Sequence, residues 1–128
     1  MKEADEQAVV FEWAKWMQGQ IPELKWMFHI PNGGSRNPAE AKNLKRQGVK
    51  KGVSDIFLPV PRHGWAGLWI ELKVENNKLT PEQAEFQEDM RKAGFWAEEC
   101  RCADDAINMI REYLHTPMWR DDDAESTE

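Results

Sequence analysis

Apolar residues recur along this chain with two periods that trade places from segment to segment. From residue 3 to 18, Glu6, Val9, Val10, Trp13 and Met17 fall three and four apart, with Phe11, Ala14 and Trp16 widening the stripe. That spacing predicts an amphipathic helix, stopped at Gly19. Trp26-Met27-Phe28-His29-Ile30 is a brief apolar run cut off by Pro31-Asn32-Gly33-Gly34, the pattern of a strand entering a tight loop. Asn37-Pro38 predicts the start of a short helix running from about Ala39 to Gln47 and ending at Gly48. A period of two then takes over. Val53 to Val60 is rich in Val, Ile, Phe and Leu, opened by Gly52 and closed by Pro59 and Pro61, so it predicts a short strand. Leu68, Ile70, Leu72 and Val74 alternate with Trp69, Glu71 and Lys73, which predicts a second strand with one aliphatic face. The Pro- and Gly-punctuated segment between them, Pro61 to Gly67, has hairpin-loop length and makes the two strands antiparallel neighbours.

Thr80 and Pro81 then predict an N-cap with proline at the first helical position, and Gln83 stands at the capping-box spacing. This helix continues through Phe86 and Met90 to Gly94. Phe95 to Cys100 predicts another strand, and Ala103-Asp104 opens a last helix whose buried stripe is Ala106, Ile107, Ile110 and Leu114. The order is helix, strand, short helix, two strands, helix, strand, helix. It predicts an α/β fold, a small mixed sheet flanked by helices, without internal repeat. Residues 1–116 are expected to form the one domain, and 117–128 an acidic, disordered tail.

Length and composition fit this picture. A chain of 128 residues is large enough to fold around one core without staples. Cys100 and Cys102 have no partner cluster of Cys or His, so neither a disulfide framework nor a zinc site is indicated. No apolar run approaches about 18 residues and the N-terminus is polar and acidic, so no membrane partner and no signal peptide are expected. A cytoplasmic, intracellular location follows as the expectation. The net charge of −6 argues against nucleic acid only until its placement is seen. Residues 120–128 hold five acids and one base, whereas residues 36–51 hold Arg36, Lys42, Lys45, Arg46, Lys50 and Lys51 against Glu40 alone. Such a patch is what phosphate contact requires, and it is equally what a solvated helix face looks like.

The candidate chemistry lies on the two central strands. Glu71 and Lys73 share a face, about 7 Å apart along the strand. Asp55, near the start of the neighbouring strand, is placed to meet Glu71 across the pair. Two carboxylates forced together repel, and a divalent cation removes the conflict. Oxygen-only ligation suits Mg²⁺ or Mn²⁺, with Lys73 beside it to orient water or stabilise charge on a phosphoryl group. Nothing in the pattern asks for an organic cofactor. A plain strand carrying Glu-x-Lys, with an aspartate capping a turn, is the alternative that these residues alone leave open.

Helix, three strands, helix, strand, with Asp before Glu-x-Lys, resembles the PD-(D/E)xK nuclease superfamily and its restriction-endonuclease-like α-β-β-β-α-β core. Within it, the chain resembles a stand-alone VRR-NUC (virus-type replication-repair nuclease) domain. The resemblance rests on His29-Ile30-Pro31-Asn32-Gly33-Gly34, Gly48 to Asp55, Ile70-Glu71-Leu72-Lys73 and Leu79-Thr80-Pro81-Glu82-Gln83, in that order. Where the superfamily pattern has proline before the aspartate, this chain has Ser54. The resemblance implies that Asp55 and Glu71 bind the metal, that the backbone carbonyl of Leu72 joins them, and that Lys73 handles the attacking water. It also implies an acidic ligand from the first helix. Glu6 is the first choice because Val9, Val10 and Trp13 follow it at helical spacing, and Glu3, one turn earlier, is the alternative. Gln83 matches the family's glutamine, with capping-box duty as its competing role.

Other residues stay open between two readings. His29 contacts a phosphate or is a hydrogen-bonded structural residue. Asn32, Gly33 and Gly34, extended by Ser35 and Arg36, present N–H groups to a phosphate or form a simple turn. Among the seven tryptophans some are candidates for stacking on unpaired bases, whereas Trp13 and Trp16 fit core or interface. The resemblance implies a structure-specific DNA endonuclease, close to Holliday-junction resolvases of viral type. It implies a homodimer too, because a symmetric junction needs two active sites. It admits a phage-encoded protein acting in its host's cytoplasm. The rival expectations are a nuclease of flap or ordinary duplex DNA, and a DNA-binding protein that keeps the fold without cutting.

Overall fold

The structure is a computed structural model that describes residues 2–31 and 37–115. Its order is α1 (Glu3–Met17), a short 3₁₀ helix (Pro22–Trp26), β1 (Phe28–His29), α2 (Pro38–Arg46), β2 (Ile56–Leu58), β3 (Leu68–Leu72), α3 (Pro81–Lys92), β4 (Trp96–Cys100) and α4 (Ala103–His115). The expected α/β order is present in full. The sheet runs β1-β2-β3-β4, with β1 and β3 antiparallel to β2 and β4 parallel to β3, so it is mixed as the pattern predicts.

The strands are shorter than the apolar runs that announce them. Pairing of β2 ends at Leu58 because Pro59 and Pro61 have no N–H to give the ladder. The run Trp26 to Ile30 yields only Phe28 and His29 as strand, since Pro22 at the first position draws residues 22–26 into the 3₁₀ helix. That helix was not expected from the pattern. The acidic tail from residue 117 lies outside the described residues.

One face of the sheet carries the core. Ile56, Leu58, Leu68, Ile70 and Leu72 pack with Val10 and Ala14 of α1 and with Ala106, Ile110 and Tyr113 of α4, all buried. The opposite face carries Phe57 and Trp69, stacked with ring centroids 4.1 Å apart, and α3 covers them through Phe86, edge-on to Trp69 at 5.0 Å. Alternation along β3 therefore sends Trp69 and Glu71 to the α3 side and the aliphatic residues to the core, as the sequence predicts. Trp96 N donates to Gly67 O and Lys73 N to Cys100 O, so residues 96 and 100 point their backbone groups at β3 while Ala97 points away. The Arg91 side chain of α3 donates from Nε (3.1 Å) and Nη2 (2.9 Å) to the Ala97 carbonyl. Buried Gln87 donates to Glu98 O at 2.9 Å and accepts from the same guanidinium. Cys100 and Cys102 are free thiols, and burial first, then Asp105 and Glu98, pushes Cys100 up to about 12.

Gly52 fixes how the loop before β2 meets α3. Its φ of +94° lies in the region that favours glycine, and a Cβ there would stand 2.7 Å from the backbone carbon and oxygen of Glu82. Both the conformation and the contact exclude a side chain. Gly52→Ala should therefore lower stability by about 2 kcal/mol or more, read as a fall in the urea midpoint at unchanged slope.

Candidate functional site

Asp55 precedes β2 and is held from several directions. Its backbone oxygen accepts from Ile30 N at 2.8 Å and from His29 Nδ1 at 2.8 Å, which ties it to β1. Its Oδ2 accepts the Leu72 N–H at 2.8 Å, which ties its side chain to the end of β3. In a strand a residue's N–H and C=O point the same way, so the Leu72 carbonyl lies on the Asp55 side of β3. That placement agrees with the expected role of this carbonyl. His29 takes up its structural reading here, as a donor to backbone.

Glu71 is 2% exposed, and its Oε1 is buried without a hydrogen-bond partner. Burial pushes its pKa up to about 9, reinforced by a side-chain hydrogen bond with Asp55 and by the Asp55 charge, while Lys73 pulls it down and Glu3 raises it further. Two carboxyls in contact share a hydrogen bond only while one keeps a proton. The metal-free protein at neutral pH therefore holds Glu71 protonated against Asp55. Asp55, Glu71 and Lys73, expected to converge, are brought together by the β2–β3 pair, and Glu3 is near enough to act on Glu71.

The two first-helix candidates separate clearly. Glu6 lies on the inward stripe four residues before Val10, as expected, but its Oε1 accepts the Ala103 N–H at 2.9 Å and so satisfies the opening of α4. Glu3 Oε1 is buried and unpartnered. The inward stripe picks out both glutamates, and only the start of α4, 97 residues further on, decides between them. Glu6→Ala should accordingly cost about 1 kcal/mol of stability, whereas Glu3→Gln should leave thermal stability unchanged or higher while weakening metal binding. Thermal melts paired with titration calorimetry of Mn²⁺ distinguish the two outcomes.

Gln83 closes the capping box of α3: its Oε1 accepts Thr80 N at 2.9 Å and its N–H donates to Thr80 Oγ1 at 3.2 Å. Its amide nitrogen and the second lone pair of Oε1 are what it can still offer the site. Lys42, Lys45, Arg46, Lys50 and Lys51 are all exposed on and after α2, a helix with no buried residue. The expected phosphate contacts at Asn32, Gly33, Gly34, Ser35 and Arg36 lie outside the described residues.

Among the described residues no three His, Cys, Asp or Glu side chains form a ready metal cage. Hard ions such as Mg²⁺ are commonly held by one or two carboxylates with waters and substrate phosphate completing the shell. The orphaned oxygens of Glu71 and Glu3 beside Asp55 fit that donor set.

A match to the VRR-NUC domain spans residues 1–104. A solved structure titled "VRR_NUC domain protein" superposes with a TM-score of 0.78 at 30% identity, covering 93% of this chain and 93% of that one. No curated protein matches. The fold is that of a nuclease domain. The chain belongs to the VRR-NUC family. A nuclease domain of this kind acts on DNA and in general uses divalent metal ions. No helix among the described residues is long and apolar enough to cross a membrane.

Proposed function

We propose that this protein is a Mg²⁺- or Mn²⁺-dependent, structure-specific DNA endonuclease that cuts branched DNA, in the manner of a Holliday-junction resolvase. The observation that supports it best is Glu71, a fully buried carboxyl with an unpartnered oxygen, pressed against Asp55 with Lys73 alongside. A core gains nothing from such a group, because a buried polar oxygen left without a partner costs about 1–3 kcal/mol. Its retention makes sense as a ligand set.

Asp55, Glu71 and the Leu72 carbonyl would hold the ion, with Glu3 as the ligand from α1. When bound, a hard divalent ion polarises the phosphoryl oxygen and makes water acidic enough to attack at neutral pH. The Leu72 N–H keeps Asp55 Oδ2 in place without a change of rotamer. The Lys73 ammonium, one residue past the end of β3 and close enough to act on Glu71, orients the attacking water. Exposed lysines and arginines of the α2 segment hold the DNA backbone, contacts that carry no sequence information and leave selectivity to shape. A symmetric junction requires two such centres. Val9 and Trp16, exposed at 36% and 86% and two turns apart on α1, support a homodimer through that helix.

The test is cleavage of a four-way junction, a flap and a linear duplex by the purified chain, in Mg²⁺, Mn²⁺ and EDTA. Metal-dependent cutting of the junction in preference to the duplex supports the proposal. Absence of cutting on every substrate with both metals overturns it in favour of a binding protein, and preference for the flap moves the substrate to the second reading. A sedimentation profile showing monomer alone removes the dimer.

A further inference from the structure

We infer that the outer edge of β1 is a track for an unpaired DNA strand, on which the exposed rings of Trp26 and Phe28 stack bases next to the catalytic centre. The inference rests on the nuclease reading above and names a part of the substrate that it leaves open.

Four large hydrophobic side chains are exposed among the described residues, and two of them, Trp26 at 70% and Phe28 at 47%, flank buried Met27. Met27 anchors the segment in the core, so the residues on either side are turned outward together. Trp26 closes the 3₁₀ helix and Met27 beyond it is extended, with φ −67° and ψ 134°, which parts the backbones of Trp26 and Phe28 by about 7 Å, the scale of a flat base with about 3.5 Å of van der Waals contact on either side. Phe28 is fixed in place. Its ring meets Phe57 edge-on at 5.9 Å, and Phe57 in turn stacks on Trp69. This aromatic row crosses three strands on the face that carries Glu71 and ends in the open at Phe28. A held ring loses little freedom on binding.

A cation stands beside these rings: Lys25 Nζ lies 5.4 Å from the Trp26 ring centroid. Aromatic rings for bases with flanking positive charge for phosphates is the arrangement that binds single strands without reading their sequence. The track leads to the chemistry, because His29 Nδ1 and Ile30 N both donate to the backbone oxygen of Asp55. At two residues, β1 is too short an edge to recruit a strand from a protein partner. The lysine beside Trp26 gives the surface a positive charge suited to phosphate.

The test uses the full chain in EDTA, so that binding is measured without cleavage. Fluorescence anisotropy with labelled oligo-dT and with a blunt duplex is compared for the wild type, Trp26→Ala, Phe28→Ala, and the ring-conserving Trp26→Phe and Phe28→Tyr. Removal of either ring should weaken oligo-dT binding about tenfold, the ring-conserving variants should recover most of the loss, and duplex affinity should change by less than about twofold. Equal losses on both ligands, or no loss on oligo-dT, overturn the inference. So does a change of sedimenting species in the alanine variants, which would make this edge a contact between copies. A chain that fails to cut any DNA yet shows the ring-dependent preference for oligo-dT refutes the catalytic reading and leaves this one standing.

Discussion

Replacing Glu71 by Gln will abolish metal-dependent cleavage, by about a thousandfold or more, and will stabilise the metal-free protein at alkaline pH. The loss of activity follows from replacing a charged oxygen ligand by a neutral amide, a change in charge stabilisation worth several kcal/mol. The gain in stability follows from the environment of this carboxyl. Its pKa stands near 4.5 in the unfolded chain and at about 9 in the folded one. Between those values the native state keeps a proton that the unfolded state has shed, so the stability of the metal-free protein falls as pH rises from about 4.5 to about 9, and this contribution levels off above that. Glutamine has no proton to lose and preserves the shape of the neutral acid. The difference in melting temperature between variant and wild type, measured in EDTA, should therefore grow through that window. If the two curves run parallel from pH 5 to 9, Glu71 is not the buried acid described here. Metal binding displaces the same proton, so affinity for Mn²⁺ should rise with pH over the same range.

Asp55 gives the second large effect, and two substitutions divide its roles. Asp55→Asn keeps an oxygen for the Leu72 N–H, now at 2.8 Å from Oδ2, but loses the charge that a divalent ion needs. It should fold with near wild-type stability and cut about a thousandfold more slowly or less. Asp55→Ala removes that acceptor as well and leaves the Leu72 N–H unsatisfied, at a cost of about 1–3 kcal/mol. Removing the aspartate also relieves Glu71 of its nearest like charge, so part of this cost is returned above neutral pH. Chemical denaturation of both variants at pH 6 and pH 9, beside junction cleavage, tests each element. Equal stability of the two variants at pH 6 would mean that the Asp55 side chain does not hold the end of β3.

The fold was legible because its signals are local. Alternation at Leu68 to Lys73 and the Thr80-Pro81 start with Gln83 each depend on a few neighbouring residues, and each appears where expected. What the sequence could not supply depends on residues far apart in the chain. Whether Glu3 or Glu6 faces the site turns on the N–H of Ala103. Whether Gln83 is free for chemistry turns on a capping box that the same residues equally predict. The 3₁₀ helix lies just before the apolar run and shares only Trp26 with it, and Pro-Glu-Leu-Lys-Trp is too short to show a helical period of its own. Asp55 and Glu71 were found by their place on adjacent strands, but the depth at which Glu71 is buried, and hence its protonation, is a property of the packed sheet.

Arg91 on the Ala97 carbonyl has a consequence for how copies of this protein meet. Of the two margins of the sheet, β1 is only two residues long, and the longer β4 has one of its outward carbonyls, that of Ala97, already taken by a guanidinium. Both are poorer than an open strand edge in the vacant groups on which a second molecule adds a strand. Continuous cross-chain sheets, and the open-ended polymers they lead to, are thereby discouraged. Loss of Arg91 would reopen that margin.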